Sequence, residues 1–136
     1  MIWMLDTNIC SYVLRRHPLT VKARFDQIGS DNLAVSTMVL AELWFGAARH
    51  PTRSVAICQD IDDMMSRLAI LPWSAKAADE YSRLRTLLER QGTPIGSMNL
   101  LIATHALAEN AVLVTNNLRE FGRVPGLQVE NWLAVE

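Results

Sequence analysis

Acidic side chains break into apolar stretches of this chain at two places, Asp6 after "MIWML" and Glu42 within "MVLAELWFGA", and an amide, Asn99, opens "NLLIATHAL". A further polar group, "TNNLREF" at residues 115–121, follows the apolar run "AVLV". Asp6 directs its carboxylate into whatever crevice lies past the first run, or else caps the next helix. Glu42 shares a helical face with Met38, Val39, Phe45 and Gly46, so it sits at the edge of an apolar stripe or is kept for chemistry. Asn99 lies in the first turn of an apolar helix, where it or Ser97 could serve as the cap. Taken together these groups have a physical logic that none has alone. Carboxylates within about 4 Å of one another repel by about 4 kcal/mol per pair at an effective dielectric of about 20, so an ionised cluster persists only around a cation. Oxygen donors without His or Cys select Mg²⁺, with Mn²⁺ as the alternative, over Zn²⁺. Such a site suits phosphate chemistry, where the ion bridges phosphate oxygens, activates a bound water and stabilises the leaving oxygen. His105, within the apolar run, reads as a core or rim histidine and not as a ligand.

The elements that must position these groups follow from apolar periodicity and turn chemistry. Residues 2–5 form a strand covered on both faces; Asn8 caps a helix over 9–16 that Pro18 stops, and 18–29 form a second helix closed by Gly29. Strand two spans 33–36, Thr37 caps a helix halted before Pro51, and residues 54–68 form its hairpin partner. "AILP" is a third strand. Ala75 to Gln91 form a long helix with Ala78, Tyr81, Leu84 and Leu88 on one stripe and Gly92 past its end. Residues 111–115 are a buried strand, and "LQVEN" is a weaker last one. Strands alternating with helices imply parallel pairing through right-handed crossovers, hence a three-layer α/β/α sandwich around a mostly parallel sheet of about five strands. In such sheets ligands bind beyond the carboxyl ends of the strands, which selects Asp6, Ser36 with Thr37, and Thr115 to Asn117.

The chain has 136 residues, half of them hydrophobic, with six Gly and five Pro, which fits one domain over 1–136 with a substantial core. No apolar run reaches the roughly 18 residues of a membrane helix, and Asp6 interrupts any signal-peptide core, so a cytoplasmic protein is expected. Cys10 and Cys58 lack metal-ligand spacing and read as reduced packing residues. The net charge of −1 announces no overall basic field, and a polyanion would have to use a local patch.

"MLDTN", "STMVLAELWFGA", "GTPIGSMNLLIATHAL" and "VLVTNNLREFGRVPGLQVENW", in this order and in these strand and helix contexts, resemble the PIN-domain ribonucleases, specifically the VapC toxins of bacterial toxin-antitoxin pairs. The resemblance runs from end to end. It implies a metal-dependent endoribonuclease that forms a homodimer and is neutralised by a small VapB antitoxin. The family's acids fall on Asp6, Glu42 and position 99; the variable fourth falls on Asn117, with Glu120 near enough to contribute. Thr7 and Thr115 match hydroxyls that support the carboxylates. Similar members with the "TNN.REF.RV.GL" ending cleave initiator tRNA in its anticodon loop, which makes that tRNA the expected substrate. Position 99 departs from the pattern: the family has Asp there. An Asn of nearly the same shape lacks one negative charge, so catalysis should be impaired while folding and partner binding survive.

Two surfaces are candidates for partners. Arg15, Arg16, His17, Lys22 and Arg24 form a basic run that could steer RNA, segregated from Asp60, Asp62 and Asp63 on another helix, or else are an ordinary solvated face. Met38, Trp44, Phe45, Met64 and Met65 crowd the helix hairpin; most such stripes are core, but the resemblance implies a groove here for an antitoxin segment. Two competing readings remain, a catalytically silent module that holds RNA or an antitoxin, and a DNA-directed nuclease of the same superfamily.

Overall fold

A computed structural model, which describes residues 1–133, contains five short strands in the order β3-β2-β1-β4-β5, all parallel. These are β1 (Trp3–Leu5), β2 (Leu33–Ser36), β3 (Ala69–Leu71), β4 (Val112–Val114) and β5 (Gln128–Glu130). Helices α1 (Thr7–Arg15) and α2 (Leu19–Ile28) link β1 to β2, α3 (Thr37–Ala48) and α4 (Ser54–Met65) link β2 to β3, and α5 (Ala75–Arg90) and α6 (Ser97–Ala108) link β3 to β4. A single turn of helix, α7 (Leu118–Phe121), precedes β5. The expected α/β/α sandwich is therefore present. β2 and β4 are buried at every position because helices cover both faces, whereas the edge strands β3 and β5 are partly exposed, and β5 carries polar residues at two of its three positions.

The register of the central strands sets which side chains emerge together at the carboxyl edge. Met4 faces both Ala34 of β2 and Leu113 of β4, and the ladders run one residue past the strands: Asp6 N–H donates to Val114 O at 3.0 Å and Thr115 N–H to Glu130 O at 3.0 Å. Asp6 and Thr115 thus leave neighbouring strands side by side. They do so where the strand order reverses, between the chain's first strand and its fourth, which is where open parallel sheets bind ligands.

The caps of α1 and α3 have one common origin. β1 and β2 pass into their helices with no intervening loop, so the last extended residue of the strand is itself the cap. Asp6, not Asn8, caps α1, accepting from Ile9 N–H at 2.9 Å; Ser36, not Thr37, caps α3, accepting from Met38 N–H at 3.1 Å. Neither Ser97 nor Asn99 caps α6, whose N-cap is Gly96 without a side-chain bond of its own. α4 ends at Met65 and not at residue 68. α5 buries Ala77, Leu84 and Leu88, with Tyr81 half-buried and Ala78 exposed, a shift of one residue in the expected stripe. Cys10 is buried, Cys58 half-buried, and both are free thiols. No helix is long and apolar enough to cross a membrane among the described residues.

Candidate active site

The site draws on α1, α3 and the segment after β4, which begin where strands end, and on α6, which follows α5. Asp6 is 5% exposed, one oxygen bound to Ile9 N–H, with the Thr115 hydroxyl near enough to favour its charged form. Thr115 is itself oriented, because its Oγ1 accepts from Asn117 N–H at 2.9 Å. Burial pushes the Asp6 carboxyl above its ordinary range; the bonds from Thr115 and Ile9 pull the other way, and the nearby charge of Glu42 adds to the rise. Glu42, one turn and a half along α3, accepts a hydrogen bond from the Thr7 hydroxyl. From α6, Asn99 turns its Nδ2 to Glu120 Oε1 at 3.1 Å. With that nitrogen committed, Oδ1 is the atom Asn99 has left to offer.

Asp6, Thr7, Glu42, Asn99 and Asn117 line a single cleft of about 160 Å³, together with Asn8, Ile102 and Phe121. At about 30 Å³ per water, that is room for about five waters, enough for a partly hydrated ion with a few phosphate oxygens. The donors facing the cleft are oxygens. Among the described residues no group of three or more His, Cys, Asp or Glu side chains is placed to hold a metal ion, since position 99 contributes an amide. Two carboxylates still suffice in kind for Mg²⁺, which characteristically takes one or two from a protein and completes its shell with water and substrate phosphate. A buried and a half-buried carboxylate lining one cleft, in no ion pair among the described residues, fit such an ion.

A model of the PIN domain matches residues 3–127. The chain belongs to the PIN-domain family. "Ribonuclease VapC2" of Rickettsia felis is 46% identical over 133 residues, covering 97% of this chain and 98% of that protein. "tRNA(fMet)-specific endonuclease VapC" of Salmonella typhimurium is 37% identical over 132 residues, covering 96% and 97%. A chain in the crystal structure of VapBC2 from Rickettsia felis bound to a DNA fragment from their promoter superposes with a TM-score of 0.90 at 45% identity, over 97% of this chain and 99% of that one. Among PIN domains this one therefore stands with the VapC ribonucleases.

Within this PIN domain the expected site residues divide into three sets. Asp6, Glu42, Asn99 and Asn117 share the cleft; Thr7 bonds the Glu42 carboxylate, and Thr115 lies near that of Asp6. Glu120 does not line it; its Oε1 accepts from Gly96 N–H at 2.7 Å and from Asn99, bonds that draw its carboxyl below the ordinary range. Asn117 also caps α7, accepting from Glu120 N–H at 3.3 Å. Sequence reasoning did not place Asn8, Ile102 or Phe121 in the site, and the only signal for them is adjacency to Asp6, Asn99 and Glu120.

The partner surfaces need correction. Met64 and Met65 are 4% and 7% exposed and belong to the core, because α4 turns both inward at its last turn; Met38 is half-buried. Trp44 and Phe45 are 47% and 64% exposed, and a groove runs from Thr7 and Glu42 past Phe45 and Gly46 to Arg49 and Ile57. The basic run is not segregated from acids. Arg16 and Lys22 line one cavity with Asp60, Asp63 and Arg67; Lys22 pairs with Asp26 at 2.6 Å, and Arg24 with Glu130 at 3.0 Å. Arg15 lies over the Tyr12 ring.

Proposed function

We propose that this chain is the ribonuclease toxin of a VapBC-type pair, acting in the cytoplasm as a homodimer on initiator tRNA at its anticodon loop, with Mg²⁺ or Mn²⁺ as cofactor and activity lowered by Asn99. The observation that carries this reading is the convergence of Asp6, Glu42, Asn99 and Asn117 on one oxygen-lined cleft at the point where the strand order reverses. Asp6 and Glu42 would hold the ion, with Asn99 Oδ1 beside them. When bound, the ion supplies a hydroxide-like water and neutralises charge on the phosphate. The Thr115 hydroxyl keeps Asp6 aimed, and the Thr7 hydroxyl keeps Glu42 aimed, so neither carboxylate must be ordered as substrate arrives. An amide at 99 lacks the negative charge that would draw the ion in, which is why turnover should be low.

The named relatives support the substrate and partner: a Salmonella typhimurium protein is called a tRNA(fMet)-specific endonuclease, and similar chains occur in VapBC complexes. The groove past Phe45 and Arg49 begins at Glu42, so an antitoxin segment seated there would reach the cleft. The basic residues Arg15 and Arg16 are the remaining candidates for RNA, with Lys22 and Arg24 already in ion pairs.

The deciding experiment is Asn99→Asp. Cleavage of initiator tRNA should rise by at least tenfold with Mg²⁺ or Mn²⁺, vanish in chelator, and vanish again when Asp6→Ala is added. No cleavage by Asn99→Asp across structured RNAs would refute the nuclease reading. One observation favours the silent-module alternative: the Asn99 amide is built into a hydrogen bond with Glu120. Equal, metal-independent RNA or antitoxin binding by both forms without turnover would support it, and cleavage of single-stranded or flap DNA in place of RNA would support the DNA-directed nuclease.

A further inference from the structure

Helix α6 carries Asn99 but begins without a capping side chain of its own, and the chain supplies that cap from α7. Glu120 accepts from the backbone of Gly96, while Arg123, one turn further on, donates to the backbone carbonyl of Pro94 at 2.7 Å. The loop between α5 and α6 is therefore gripped twice, at a donor and at an acceptor. Gly96 has φ of −56°, which any residue can adopt, so its lack of a side chain serves close approach: a Cβ there would meet Glu120 Oε1 at 3.3 Å and Asn99 Nδ2 at 3.8 Å. Glu120, Gly96 and Asn99 form one packed group. The third contact, Asn99 Nδ2 to the same Glu120 oxygen, ties it to the cleft.

We propose that Asn99 locks Glu120 onto the amino end of α6, closing α7 on the α5–α6 loop without any cation, and that a carboxylate at position 99 would make this closure depend on a divalent ion. The amide donates where an aspartate could only accept, and two ionised carboxylates at hydrogen-bond range drive each other apart unless a cation lies between them. Residue 99 then governs more than the charge of the cleft. It decides whether the loop before α6 is held permanently or only when the ion is present. The first half of this inference is independent of the proposed nuclease function; the dependence on an ion rests on it.

Amide exchange at Gly96, followed by NMR in the full-length protein, reads the clamp directly. In this chain the Gly96 N–H should exchange at the same rate in EDTA and in Mg²⁺. In Asn99→Asp it should exchange at least tenfold faster in EDTA, equivalent to about 1.4 kcal/mol, and slow again on adding Mg²⁺. The double variant Asn99→Asp with Glu120→Gln exchanges the partners' roles: the Gln amide donates to the new carboxylate while its oxygen accepts from Gly96. It should recover slow, metal-independent exchange, which also controls for general damage from Asn99→Asp. Unchanged exchange at Gly96 in Asn99→Asp, a loss that metal does not reverse, or no recovery in the double variant would overturn the proposal. The exchange rates in EDTA do not require turnover, so a failed cleavage assay and a failed clamp are separately visible.

Discussion

Substituting Asp6→Asn should make the metal-free protein more stable while removing its capacity for the proposed chemistry. Asn keeps the hydrogen bonds of the native side chain. Its Oδ1 can accept from Ile9 N–H and from the Thr115 hydroxyl as the carboxylate does, and Asn caps helices about as well as Asp, so the loss on that side is close to nil. What disappears is a nearly fully buried charge beside Glu42. Burial of an unpaired carboxylate costs several kcal/mol, and two hydrogen bonds to the charged form return about 1.5–3 kcal/mol each. The raised carboxyl of Asp6 says the return is incomplete, so neutralisation should gain about 1 kcal/mol, or about 3–5 °C in Tm for a domain of this size. By contrast Asp6→Ala forfeits the cap as well as the charge, so it should be less stable than Asp6→Asn by about 1 kcal/mol. Urea unfolding in EDTA near pH 7.5 measures both. The sign with pH is fixed as well: a carboxyl raised on folding binds more protons in the native state, so stability falls as pH rises from the ordinary value of 3.8 through the raised one. The advantage of Asn over Asp should therefore shrink as pH falls towards 4. An Asp6→Asn protein less stable than its parent by 1 kcal/mol or more in EDTA would contradict this account, since the carboxylate would then be holding the fold together.

Two further outcomes are expected from buried and exposed groups elsewhere. His105 is fully buried with Nδ1 2.7 Å from Ser36 Oγ; burial lowers its pKa, and Glu109, 3.8 Å from Nε2, and the backbone at Pro72 only partly offset this. An imidazole kept neutral on folding loses stability as pH falls below the unfolded value of 6.5, so His105→Gln should cost about 1 kcal/mol at pH 7.5 yet give a flatter stability curve between pH 6.5 and 5 than the parent. Phe45, 64% exposed, can be changed to Asp within about 0.5 kcal/mol of parental stability, but calorimetric binding of a cognate VapB-type antitoxin should weaken at least tenfold if that segment uses the groove.

The order and parallel character of the elements were legible in the sequence because short runs buried on both faces, such as Leu33–Ser36 and Val112–Val114, cannot alternate in polarity. Asp6, Glu42 and Asn99 were legible too, since a polar group within an apolar run needs a reason: Asp6 and Asn99 lie where a strand ends or a buried helix begins, and Glu42 interrupts an apolar helix. Other features emerge only from packing. Which residue caps α1 and α3 depends on the strands running straight into their helices, a matter of backbone direction that residue types near the junction leave open. Met64 and Met65 could be assigned to core or groove only once α4 was set against α3, because an apolar stripe records that a face is covered and not by what. Basic and acidic runs distant in sequence proved to share one cavity, since charge along a chain carries no information about which helices pack together. The bond from Asn99 to Glu120, spanning 21 positions, belongs to the same class: the sequence supplied both partners, and only folding brought the amide of one helix to the carboxylate that caps it.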